Sequence, residues 1–176
     1  MKMNIKHFSK QRFPLYPFIP SKDKIIAKSY GDKIYREAVL LAPGVWTDSI
    51  SRTAIAYDAD VLTKYHSNWR NNYLDVDHSR SVKDRIGRIL NIKTHDGKII
   101  GDLYICTKTS VGRDVVALIE EGLVNWLSVE ILTNEKWDPD RRLYKVTEVL
   151  FDGVAVVTLP ACSEAKIKRD GPDAKT

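Results

Sequence analysis

The stretch Arg85–Ile105, RIGRILNIKTHDGKIIGDLYI, decides the fold class. Two runs of alternating character meet at Asp96-Gly97, a dipeptide whose two positions both tolerate positive φ and so suit a tight hairpin. Antiparallel pairing of the two runs follows. Upstream, NYLDVDH (72–78) alternates Tyr73, Asp75 and Asp77 with Leu74, Val76 and His78, the two-residue period of a strand with one buried face. That reading puts His78 on the face of Leu74 and Val76.

Downstream, TSVGRDVVALIEE (109–121) has a hydroxyl cap at Thr109 or Ser110 and an apolar stripe through Val111, Val115, Leu118 and Ile119. Gly122 stands where a helix stops. VNWLSVEIL alternates again, WDPD makes a turn, and RLYKVTEVLFDGVAVVTL supplies one or two further strands. Nearer the start, 23–29 and 34–42 are strand-like and Pro43-Gly44 marks a turn. A short helix capped by Asp58 or Asp60 then follows, with Val61, Leu62 and Tyr65 on one face. No repeat is visible. The predicted class is β-rich α+β: an antiparallel, strongly twisted sheet or small barrel with two or three helices around it.

A chain of 176 residues accommodates one core. Hydrophobic residues at 43% and charged residues at 29% are ordinary globular values, so a packed interior is expected. Residues 1–22, with Pro14, Pro17 and Pro20 among basic and aromatic side chains, read as a flexible N-terminal arm. Residues 23–165 form the expected domain, and 166–176, polar and rich in breakers, a flexible tail. The net charge of +5 gathers near the termini without a helix-turn-helix, zinc or Gly-aromatic signature, which argues against specific nucleic-acid recognition. Cys106 and Cys162 are too few and too far apart for a disulfide framework or zinc site, and reduced thiols are expected. No apolar run approaches the roughly 20 residues of a membrane span, and the start lacks a signal peptide's apolar stretch. A cytoplasmic protein is expected.

A serine hydroxyl needs a base within hydrogen-bond reach, usually histidine, and a third group to orient the imidazole. Ser128, in NWLSVEI, and His78 both lie on predicted strands among large apolar residues, a rigid setting for such a pair. The bland alternatives are a core serine bonded to its neighbour strand and a satisfied core histidine. Asp75, Asp77 and His78 form a D-x-D-H string that suggests a metal site. Alternation argues against it, because the aspartates face away from the histidine, and neither metal nor cofactor is expected. His66 and His95 read as exposed, Ser79 and Ser81 as turn residues. Trp46, Trp69, Trp126 and Trp137 read as core or rim packing, with Trp126 also placed to wall a groove beside Ser128.

Three blocks in order carry a family resemblance. They are DHSRSVKDRIG, then DVVALIEEGLVNWLSVEI, then VAVVTLPACSEA. From Tyr73 to Ala165 the chain resembles the prohead (capsid maturation) proteases of tailed phages and archaeal viruses, which share a fold with the herpesvirus assemblin proteases. The resemblance implies a serine endopeptidase with His78 as base and Ser128 as nucleophile, cutting capsid and scaffold proteins inside an immature prohead in the host cytoplasm, and cutting itself. It implies a viral or proviral origin and allows a homodimer, with no membrane partner. A noncatalytic scaffold-binding module on the same fold is the alternative.

Two departures stand out: Glu130 replaces a small residue common soon after the serine, and Gly153-Val154-Ala155 replaces a Glu-Val-Ser run. The herpesvirus enzymes place a second histidine about twenty residues after the serine, and the corresponding position is Glu148. Glu148 is therefore the expected third member, ahead of Asp152, Asp102 and Asp77. Arg85, Arg88, Arg141 and Arg142 are oxyanion candidates among which the sequence does not choose.

Overall fold

The computed structural model describes residues 32–47 and 53–168. The strand expected over 23–29, the arm 1–22 and residues 169–176 of the tail lie outside them. In chain order the strands and α-helices are β1 (Lys33–Leu41), β2 (Gly44–Thr47), β3 (Ala54–Tyr57), α1 (Ala59–Tyr65), β4 (Tyr73–Val76), β5 (Arg85–His95), β6 (Lys98–Ile105), α2 (Ser110–Glu120), β7 (Trp126–Asp138) and β8 (Leu143–Val157). A 3-10 turn at Val82–Asp84 precedes β5, with the Ser81 hydroxyl accepting from the Lys83 amide.

The hairpin forms where Asp96-Gly97 requires it. His95 faces Lys98 across the turn, and both turn residues take left-handed φ, 49° and 73°. α2 starts at its hydroxyl cap, Thr109 Oγ1 accepting from the Gly112 amide at 3.0 Å. Asp58 precedes α1 without a side-chain cap bond, because its carboxylate is taken by Arg141 and Lys145.

The sheet runs β1-β6-β5-β4-β8-β3-β2, with β7 on the other edge of β8. One expectation is corrected here, and of the two expected forms the sheet takes the open one. The sheet is mixed rather than antiparallel, because β3 and β4 both pair with β8 in parallel, and it is not closed into a barrel. The segment expected to hold one or two strands is a single 15-residue strand, β8. Its length lets one edge serve β3 at Tyr144–Lys145 and β4 at Val154–Val156, while its other edge carries β7 throughout.

Leu40, Leu62, Leu74, Ile86, Ile89, Leu103, Leu127 and Phe151 are fully buried, and Trp69 stacks on Phe151 at 4.7 Å between ring centroids. Burying a side chain the size of Phe151 contributes about 2–3 kcal/mol. The packed unit continues past residue 165: the Lys166 amide donates to Val39 O, the Ile167 amide to Asn125 O, and Ile167 is buried. The expected tail boundary therefore moves outward, because these residues lie between β1 and β7 and satisfy their edges.

Candidate active site

Ser128 lies on β7 directly opposite Ala155 of β8, and on the other side of Ala155 lies Asp75 of β4. Residues paired across strands share a face, so Ser128, Ala155 and Asp75 form one row, with Cα positions of the outer two about 10 Å apart. Two residues along β7, Glu130 is on the same face as Ser128 and opposite Gly153.

β4 ends at Val76, because Asp77 and His78 both take left-handed φ, 51° and 53°. For non-glycine residues this conformation costs about 1–2 kcal/mol each. The turn is held by Asp77 N donating to Val156 O and Ser79 N to Val76 O, both at 3.1 Å. Strand alternation therefore stops before the histidine. His78 is not on the strand face of Leu74 and Val76; its ring turns to Glu130, with Nδ1 3.2 Å from Oε1. An ionised carboxylate only accepts, so this contact places the ring proton on Nδ1 and leaves Nε2 as the basic nitrogen.

The Glu130 side chain is only 11% exposed. Its Oε2 accepts from Tyr73 Oη at 2.7 Å and lies 4.0 Å from Arg80 Nε. Burial raises the Tyr73 phenol to about 12, and its bond to Glu130 pushes the same way. Tyr73 reaches Glu130 by crossing β8 at Gly153: a Cβ there would stand 2.4 Å from the Tyr73 ring, and Gly153 holds a φ of +153°. Arg85 stacks on the Tyr73 ring, 3.2 Å from its centroid.

Asp75 is fully buried, and neither carboxylate oxygen has a hydrogen-bond partner. Burial lifts its carboxyl to about 6; the negative Glu130 adds to the rise, against the pull of His78 and Arg85. Ligand atoms of Asp75, His78 and Glu130 all lie within 4.8 Å of one another. The reading that the aspartates face away from the histidine is thus corrected for Asp75: the left-handed turn brings the ring back over it.

The expected third member is not here. Glu148 pairs with Asn134, whose Nδ2 donates to it at 2.6 Å, six residues along β7 from Ser128 and so about 20 Å away. Asp152 is held by Arg70 and Asn71, and Asp102 by Arg36, Asn91 and the Glu37 amide. Asp77 is exposed. Of the arginines, Arg141 pairs with Asp58 and Arg142 sits in the β7–β8 turn, both remote from Ser128. Among the described residues no direct hydrogen bond joins the Ser128 hydroxyl to the His78 ring; both neighbour Glu130, Ser128 two positions away on the same face of β7 and His78 through its ring contact. Glu130 was not among the expected site residues, although the sequence shows a carboxylate two positions from the serine on one strand.

A hydroxyl, an imidazole and a shielded carboxylate on one sheet face are the equipment of a serine hydrolase. The profile of the caudovirus prohead serine proteases matches residues 56–175. No curated protein matches the chain. Among solved structures it is similar to the bacteriophage T4 capsid assembly protease, with 13% identity, a TM-score of 0.49, and coverage of 73% of this chain and 98% of that one. The chain belongs to the caudovirus prohead serine protease family and is a capsid-processing serine peptidase.

Proposed function

We propose that Ser128 is the nucleophile, His78 the general base and Glu130 the carboxylate that orients it. The observation that carries this is the 3.2 Å contact of His78 Nδ1 with Glu130 Oε1 on the face that holds Ser128. With Nδ1–H donating to Glu130, Nε2 takes the Ser128 proton as Oγ attacks the scissile carbonyl. The imidazolium, stabilised by Glu130, then protonates the leaving amine. Water repeats the sequence on the acyl-enzyme. The two departures from the family pattern support the choice of Glu130, because they are cross-strand partners: Glu130 faces Gly153. A carboxylate and a small residue have exchanged sides of one ladder. The pair keeps one carboxylate, and Gly153 opens the path by which Tyr73 holds it.

The substrates in this reading are capsid and scaffold proteins within the prohead, in the host cytoplasm, with self-cleavage in the arm 1–22 and in the tail beyond Ile167. A herpesvirus-protease-like architecture and a homodimer belong to the same reading. A fluorophosphonate probe tests the site. It is expected to modify Ser128 in wild type, and to lose at least about 10³-fold in rate with His78→Ala and all labelling with Ser128→Ala. Labelling of a different residue, or labelling indifferent to His78, overturns the assignment.

A further inference from the structure

Asp75 is unexplained by the hydrolytic mechanism. A carboxylate removed from water without a partner is costly, and buried polar groups of folded proteins nearly always find one. No hydrogen bond satisfies either oxygen: the Arg80 amide lies on its side and only draws the carboxyl down, Glu130 is a second carboxylate, and Nδ1 of His78 is already directed at Glu130. What two carboxylates and an imidazole share is affinity for a divalent cation. Three such atoms around tetrahedral zinc, bound at about 2.0–2.2 Å, stand about 3.3 Å from one another. Nδ1 and Oε1 are already 3.2 Å apart, and all three ligand atoms lie within 4.8 Å, so small side-chain movements close the set. His78, 35% exposed in its side chain, leaves a way in from solvent, while Asp75 lies at the buried end.

We infer that Asp75, His78 and Glu130 form a reversible zinc site that switches the peptidase off. Zinc takes the lone pair of Nδ1, the nitrogen that Glu130 otherwise orients, only in the tautomer whose single ring proton has moved from Nδ1 to Nε2. Nε2 then carries that proton and can no longer accept one from Ser128. Arg80, 4.0 Å from Glu130 Oε2 and largely exposed, can swing to solvent as the doubly charged ion enters, while the positive charge of Arg85 stays stacked on the Tyr73 ring. The inhibitory half of this inference rests on the proposed roles of His78 and Ser128; the binding half does not.

The test is calorimetric titration of the full chain with zinc chloride near pH 7, together with fluorophosphonate labelling across the same zinc range. Wild type and Ser128→Ala are expected to bind one ion with equal affinity. D75N and E130Q, both near-isosteric and checked for folding by circular dichroism, are expected to weaken binding about a hundredfold or more. Unchanged zinc affinity in folded D75N and E130Q overturns the site. Wild-type labelling should fall as the ion binds and recover on chelation, with D75N insensitive to the same zinc concentrations. Labelling that persists at saturating zinc overturns the switch. An absence of Ser128 labelling even without metal overturns the switch through the catalytic reading, and the titration still decides the zinc site on its own.

Discussion

One antiparallel ladder carries two glutamates with opposite fates. At one end of β7–β8, Glu130 faces Gly153 and holds His78 at 3.2 Å; further along, Glu148 faces Asn134 and accepts from its amide. The two residues have the same chemistry and lie on adjacent strands. The difference lies in what crosses the ladder. At the Glu130 end β4 lies beside β8, bringing Tyr73, Asp75 and the left-handed turn that ends in His78. At the Glu148 end the ladder runs out toward an exposed turn where Trp137 packs edge-on against Tyr144 at 5.3 Å. A carboxylate becomes part of a site through its third neighbour, not through its own identity.

The sharpest way to break this comparison is to neutralise each glutamate. Glu130→Gln should lower kcat by about 10²–10⁴-fold, because the amide no longer secures the imidazole tautomer or its positive charge. Glu148→Gln should stay within about twofold. Kinetics on a peptide substrate decide the matter, and equal losses in the two variants would dissolve the distinction.

Asp75 probes the same end of the ladder through pH. Its folded carboxyl is raised from 3.8 to about 6. Between these values the native protein keeps a proton that the unfolded chain has released, so stability falls as pH rises through the window. Above about pH 6 the full cost persists, about 3 kcal/mol for a shift of about two units. Asp75→Asn has no proton to lose. Denaturant melts should show the variant gaining on wild type by up to that amount between pH 4 and 7.5, whereas a pH-independent difference would contradict the buried charge.

Gly153→Ala drives a methyl into the Tyr73 ring and should destabilise the fold by about 1–3 kcal/mol, with a drop in activity as Tyr73 releases Glu130. Trp137→Ala, at the far end, should cost under about 1 kcal/mol in the same melts and leave kinetics unchanged.

Much of this end of the molecule was legible beforehand. Asp96-Gly97 placed its hairpin, Thr109 and Gly122 bounded α2, and the period of NWLSVEI put Ser128 on a strand with Glu130 two positions on. Alternation failed at His78 because nothing in NYLDVDH announces two successive left-handed residues. The parallel pairing of β3 and β4 with β8 was also hidden, since turn residues report only local, antiparallel connections.

The sequence by itself determined the elements, the chemistry available and, through three ordered blocks, the family. Only the tertiary structure decided which carboxylate lies against the histidine. The two-residue period fixes the face a side chain occupies, but not which strand will lie alongside. That choice was made by non-local pairing across β8, which put Tyr73 over Gly153 and His78 beside Glu130 and left Glu148 about 20 Å from Ser128.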